Sequence, residues 1–317
     1  MVTTTECRVL LRPESAGLRF LPEGPYSLPD GKLSWVGIQH GGNSTIGSVN
    51  ILDLAAGTNQ SFELPGRPGF AFPTSRPGVF VCGVERTLGL YDTDDRSWTE
   101  LAADIDSGVD NTIINDGVVY DGHLIFGCKE LEFKTKKAGL YLRHRDGRLL
   151  QLRNDQICSN GKAVRQQKDG TLSLIDIDSP SKTITICDLD VDDGAVTEPK
   201  VIVDLTAGDV FPDGMVVTPD GNSLIVALYD PGDPSAGAAR QYSLTSGELE
   251  AVWTCPGSPR VTCPQLVRVG DAVKLALTTA VEHMEADQQQ RHPNAGCLFI
   301  GDTTFEGTGD QPVYDLA

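Results

Sequence analysis

Four oxygen-bearing side chains recur at nearly one spacing ahead of a repeated turn. Glu23 stands 8 residues before Gly31, Asn115 7 before Gly122, Asn160 10 before Gly170 and Asp213 8 before Gly221. The same position ahead of two further turns holds Phe70 and the Thr262-Cys263 pair, so the set is polar on one side and apolar on the other. Two carboxylates and two amide oxygens gathered at one point make a hard site suited to Ca²⁺, Mg²⁺ or Mn²⁺, which Zn²⁺ accepts less readily. Taken singly, Asn115-Asp116-Gly117, Asn160-Gly161 and Asp213-Gly214 are ordinary turn sequences. Their shared phase raises the functional reading above that one.

Something must bring these positions together, and the turns themselves point to it. Pro29-Asp-Gly-Lys-Leu, Arg76-Pro-Gly-Val-Phe, Tyr120-Asp-Gly-His-Leu, Lys168-Asp-Gly-Thr-Leu, Pro219-Asp-Gly-Asn-Ser-Leu and Val269-Gly-Asp-Ala-Val are hairpin signals, since glycine tolerates positive φ. Interleaved with them is a strand-like unit: Gly47-Ser-Val-Asn-Ile-Leu-Asp, Gly89-Leu-Tyr-Asp, Gly139-Leu-Tyr-Leu, Thr185-Ile-Cys-Asp-Leu-Asp, Arg240-Gln-Tyr-Ser-Leu and Gly296-Cys-Leu-Phe-Ile-Gly. A repeat of roughly 40 to 50 residues holding two hairpins is a propeller blade. Six copies predict an all-β, six-bladed β-propeller with four antiparallel strands per blade and a central channel. The expected blades run roughly over 16–60, 61–104, 105–155, 156–205, 206–256 and 257–305 of one domain, with a strand at Cys7 to Leu11 closing the last. The innermost strand of each blade lines the channel, so equal phase implies convergence on one opening.

Composition narrows the partners. A formal net charge of −18 repels phosphate backbones and anionic lipid, which argues against nucleic acid and membrane surfaces. The first fifteen residues lack a signal-peptide core, and no stretch approaches the length of a membrane span, so the chain reads as cytoplasmic, a monomer or weak homo-oligomer. Eight singly spaced cysteines read as buried thiols rather than as a zinc or redox site. There is no Gly-x-Ser-x-Gly elbow for a serine hydrolase. Gly41–Gly47 lacks the lysine of a phosphate loop. Asp188–Gly194 is calcium-loop-like, but its glycine is one place late and Pro199 takes the bidentate position, so it reads as an acidic hairpin turn. The five histidines show no close pair in sequence.

Leu21-Pro-Glu23-Gly-Pro, Ile114-Asn115-Asp116-Gly117, Cys158-Ser-Asn160-Gly161, Phe211-Pro-Asp213-Gly214-Met215 and Asn294-Ala-Gly296-Cys-Leu-Phe, in this order across nearly the whole chain, resemble the gluconolactonase, regucalcin and luciferin-regenerating-enzyme family. The resemblance implies a six-bladed propeller, Glu23, Asn160 and Asp213 as ligands of one divalent cation, and Asn115 as a substrate contact. Relatives acting on sugar lactones commonly carry arginine two residues before that asparagine, where this chain has Ile113. Glu130 and Glu132 fall where the family has a lid segment, either as substrate contacts or as strand-end charges.

The expectation is therefore a metal-dependent lactonase. It opens a small lactone to its hydroxy acid, with Ca²⁺ the first choice of cation and Mg²⁺, Mn²⁺ or Zn²⁺ behind it, and with Asp213 moving the proton. Two rivals stand beside it. One is a non-catalytic cation-binding propeller or scaffold; the other is a paraoxonase-like esterase whose more apolar substrate would suit Phe70 and Ile113.

Overall fold

The computed structural model describes residues 2–316, and there the chain runs as short strands joined by tight turns, with one short α-helix, α1 (Ala286–Arg291). β1 (Thr3–Glu6) and β2 (Arg8–Leu11) precede the first sheet: β3 (Pro22–Leu28), β4 (Lys32–Gly37), β5 (Ser48–Asp53) and β6 (Asn59–Glu63). The second sheet holds β7 (Pro68–Pro73), β8 (Val79–Val84), β9 (Thr87–Asp92) and β10 (Trp98–Ala102). The third holds β11 (Thr112–Tyr120), β12 (His123–Glu130), β13 (Ala138–Arg143) and β14 (Leu149–Gln156). β15 (Ser159–Gln166), β16 (Leu172–Asp178), β17 (Thr183–Asp190), β18 (Ala195–Val196) and β19 (Lys200–Asp204) form the fourth. β20 (Phe211–Val217), β21 (Ser223–Tyr229), β22 (Ala236–Ser243) and β23 (Leu249–Pro256) form the fifth; β24 (Val261–Val269), β25 (Ala272–Thr279) and β26 (Leu298–Asp302) belong to the sixth. Apart from β1, β2 and β19, the strands of each sheet pair antiparallel in chain order, with β19 pairing β17 beside β18, and this is the arrangement of a six-bladed β-propeller.

Each repeated turn joins the first strand of a sheet to the second, and its glycine takes the left-handed conformation that other residues avoid, from φ +59° at Gly270 to +89° at Gly170. β2 supplies the fourth strand of the last sheet, antiparallel to β26, while β1 adds in parallel to β23 of the fifth. The Asp188–Gly194 segment is a hairpin turn in which the Asp190 carboxylate accepts from the backbone N–H of Asp192 and Asp193.

Clustering of the chain gives two compact units, Met1–Arg67 with Ala207–Gln311 and Pro68–Thr206 with Pro312–Ala317. Each contains three sheets, whose inner strands alternate apolar residues toward the neighbouring sheet. In the first unit Trp35, Leu52, Val267 and Leu298 join the first and sixth sheets, and Trp253, Leu275 and Phe299 join the fifth and sixth. In the second, Ile125, Leu142, Leu174 and Leu189 join the third and fourth. Fully burying each such side chain contributes about 1.5–3 kcal/mol. No helix among the described residues is long and apolar enough to cross a membrane.

Candidate functional site

The first strand of every sheet carries a break in its pairing register at one phase: Glu23/Tyr26 in β3, Pro68/Phe70 in β7, Ile114/Gly117 in β11, Asn160/Lys162 in β15, Pro212/Met215 in β20 and Val261/Cys263 in β24. A bulge leaves a residue unpaired, bends the strand and re-aims side chains, which is why bulges gather beside active sites. Glu23, Asn160 and Phe70 border their bulges, while Asn115, Asp213 and Thr262 lie inside theirs. The common sequence phase is thus a common structural device.

In the first unit β24 packs against both β3 and β20. The Thr262 hydroxyl donates to the carbonyl oxygen of Pro22, next to Glu23, at 2.7 Å. On the other flank Gly214, which follows Asp213, is pressed so close to Cys263 that a Cβ there would lie 2.4 Å from its sulfur. Glu23 and Asp213 therefore belong to strands locked on either side of β24. Glu23 is buried and Asp213 half-buried. Beside them, burial foremost, then the Glu282 carboxylate, and to a lesser degree Asp213, push the Tyr229 phenol far above its ordinary value, against the opposing pull of Arg260.

In the second unit β11 packs between β7 and β15. Asn115 Nδ2 donates to Ser159 O and to Asn160 Oδ1, both at 2.8 Å, so its two amide hydrogens are spent on β15. Asn160 Nδ2 donates in turn to Ser179 Oγ at 2.8 Å, which fixes its amide with the oxygen on the Asn115 side. Gly69 lies against the Asn115 carbonyl, where any side chain would collide. Phe70 is buried and stacks on Phe72 at 5.1 Å, with Phe126 tilted at 6.1 Å, so its ring is part of the apolar core. Ile113 is likewise buried. The Glu130 carboxylate accepts from Asn111 Nδ2 and from the backbone N–H of Glu132 and Lys134, shaping the loop after β12, and these bonds hold it below the usual range although desolvation opposes them. Glu132 is exposed and pairs with Lys134.

Beneath Asn115 and Asn160 lies a group that the spacing argument missed. Lys162 is fully buried, and its ammonium contacts Ser159 Oγ at 2.7 Å, Asn160 O at 2.6 Å and Asp176 Oδ1 at 3.1 Å. Asp176 also accepts from Gln156. Burial raises the Asp116 carboxyl above its ordinary value, with Lys162 opposing the shift. A lysine in a first strand two residues after a candidate ligand was the available signal, but in sequence it reads as solvent-facing. His123 and His144, distant in sequence, meet edge to face at 4.5 Å between ring centroids, so the absence of a close pair in sequence did not carry over to space.

By donor chemistry, the Glu23 and Asp213 carboxylates of the first unit are of the kind a hard cation takes, and in the second unit Asn160 offers an amide oxygen that accepts from Asn115 Nδ2. Among the described residues no three His, Cys, Asp or Glu side chains cluster as a metal centre. The expected set has only two of those types and relies on an amide for the third donor.

Residues 21–281 match the family model described as SMP-30/Gluconolactonase/LRE-like region. Among curated proteins the chain is 28% identical over 193 residues to YvrE of Bacillus subtilis, to which a sugar lactone lactonase activity is attributed by name, covering 61% of each. It is 24% identical over 239 residues to regucalcin of Xenopus laevis, covering 71% of this chain and 73% of the relative. Among solved structures, a calcium-binding protein, regucalcin, from Agrobacterium tumefaciens shares the fold with a TM-score of 0.82 at 24% identity, covering all of both chains. The match spans the bulged strands β3, β7, β11, β15, β20 and β24 in full, and the chain belongs to the SMP-30/gluconolactonase/LRE-like family.

Proposed function

We propose that the protein is a metal-dependent lactonase that hydrolyses a small lactone, a sugar lactone or related cyclic ester, to its hydroxy acid. The observation that carries this reading is the bulge repeated at one phase of all six first strands, with Glu23, Asn115, Asn160 and Asp213 at four of them. Family membership supports a lactonase activity in general, and the cation ligands carried over from the motif are Glu23, Asn160 and Asp213. When bound, a divalent cation, Ca²⁺ in the first instance, supplies Lewis-acid polarisation of the ester carbonyl.

The chain's own residues do the rest. Asp213, half-buried beside Tyr229, accepts a proton from the water that adds to the carbonyl carbon and returns it to the ring oxygen as the C–O bond breaks. Asn115, with both amide hydrogens committed to β15, has its Oδ1 left for the substrate and so selects a hydroxyl donor. The network of Lys162, Ser159 and Ser179 holds Asn115 and Asn160 in one arrangement, which saves reorganisation during reaction. The eight cysteines, all buried, support placing the chain in the cytoplasm.

Acid release from a panel of aldonolactones and aliphatic and aromatic lactones, followed by pH-stat with chelator-treated protein and added Ca²⁺, Mg²⁺, Mn²⁺ or Zn²⁺, tests the reading. Cation-dependent turnover of at least one lactone is expected. Tight cation binding with no turnover would instead favour a binding protein, a reading to which Ile113, in place of the arginine of sugar-lactone relatives, already lends weight.

A further inference from the structure

Arg260, the residue before β24, is 2% exposed, comparable to Glu23 at 7%. Its guanidinium lies over the Tyr229 ring, 5.6 Å from the centroid, and the two residues form an antiparallel backbone bridge. Nη1 donates to the carbonyl oxygen of Glu282, to which the Tyr229 hydroxyl also donates at 3.1 Å. Nε is sealed from solvent and has no hydrogen-bond partner among the described residues. The carboxylates of Glu282 and Asp213 and the guanidinium of Arg260, which is also hydrogen-bonded to the Tyr229 hydroxyl, all act on Tyr229. Glu282 turns instead toward His283, 3.7 Å away. Among the described residues, no ion pair within 4.0 Å balances the Arg260 charge, although the exposed or half-exposed arginines Arg76, Arg148, Arg153 and Arg291 all have one.

A guanidinium taken out of water without a carboxylate to balance it loses hydration that nothing repays. The protein has built that cost into one place and used an aromatic face and a neutral carbonyl to hold the group. The place is informative. Arg260 directly precedes β24, two residues before Thr262, and β24 is locked between the strands of Glu23 and Asp213. The planar fork of an arginine matches a carboxylate in two parallel hydrogen bonds, an arrangement a lysine cannot reproduce.

We propose that Arg260 is a specificity-determining residue that receives a carboxylate carried by the lactone, so that the preferred substrates are acidic lactones. The inference rests on the lactonase reading and narrows its substrate class. Tyr229 backs the guanidinium and orients it for the substrate carboxylate.

The test compares a lactone bearing a free carboxylate, glucaro-1,4-lactone, with the neutral glucono-1,5-lactone. The wild-type protein is expected to favour the acidic lactone in kcat/KM. In Arg260→Met the ratio of kcat/KM for acidic over neutral lactone is expected to fall about thirtyfold, through KM, with a smaller fall in Arg260→Lys. A wild-type preference for the neutral lactone, or a ratio unmoved in both variants, would overturn the assignment. Calorimetric titration with potassium glucarate separates this from the lactonase reading. If neither lactone is opened but glucarate binds the wild type, more weakly Arg260→Lys and not measurably Arg260→Met, the anion subsite stands and only the lactonase reading falls. If glucarate does not bind the wild type, the subsite falls whatever the protein hydrolyses.

Discussion

At the scale of single residues the most consequential feature is a charged group where a strand residue should be apolar. Lys162 and Asp176 are both buried, and each is the other's counter-charge beneath the Asn115–Asn160 hydrogen bond. Removing one member of such a pair leaves an uncompensated charge, whereas removing both does not. Lys162→Met is therefore expected to lower stability by about 3–5 kcal/mol in urea unfolding. Lys162→Met combined with Asp176→Leu should recover most of that loss; equal instability in the single and double variants would show that the pair is not the cause. That Glu23, Asn115, Asn160 and Asp213 occupy one phase of their strands was legible in the sequence because their spacing repeats. Lys162, Asp176 and Arg260 were not, because nothing local separates a buried charge from an exposed one: burial is decided by which sheets pack on it.

At the scale of elements, turns and bulges divide what is local from what is not. The Asp-Gly turns could be read directly because their chemistry is contained in two residues, and Gly31, Gly122, Gly170 and Gly221 all adopt positive φ. The bulges could not, since a register break exists only against the partner strand. They depend on small residues beside them. A Cβ on Gly69 would sit 1.9 Å from the Asn115 carbonyl oxygen, so Gly69→Ala is expected to cost about 1–3 kcal/mol of stability and to reduce kcat/KM by displacing Asn115. Wild-type stability and turnover in that variant would mean that the close approach of β7 to β11 does not set the site.

The turns also govern the response to acid. Hydrogen bonds from their own loops hold Asp53, Asp146, Asp169, Asp204 and Asp220 below the ordinary aspartate range. A carboxyl with a depressed folded-state pKa contributes stability that is present above its unfolded value and lost as pH falls through the folded one. The melting temperature is thus expected to drop as pH falls from about 4 toward 2. A melting temperature that held or rose over that window would contradict the role given to these turns.

At the scale of the molecule, the six sheets and the order of their strands were legible because every repeat carries two hairpin signals. What the sequence did not separate was the beginning of the chain. The segment at Cys7 to Leu11 was expected in the last sheet, and β2 pairs there with β26, but β1 joins β23 of the fifth sheet in parallel, a pairing that leaves no local trace. Cys7, between the two strands, is buried with Trp253 and Phe299 in the cluster joining the fifth and sixth sheets. Initial rates of lactone opening are measured for the wild type and for Asp213→Ala, each with saturating Ca²⁺ and again after chelation, alongside melting temperatures. A metal-dependent lactonase with Asp213 as its proton carrier turns over in the wild type, loses turnover on chelation, and in Asp213→Ala is at least about a hundredfold slower at an unchanged melting temperature. Turnover in Asp213→Ala close to that of the wild type, or wild-type turnover indifferent to chelation, would contradict this reading.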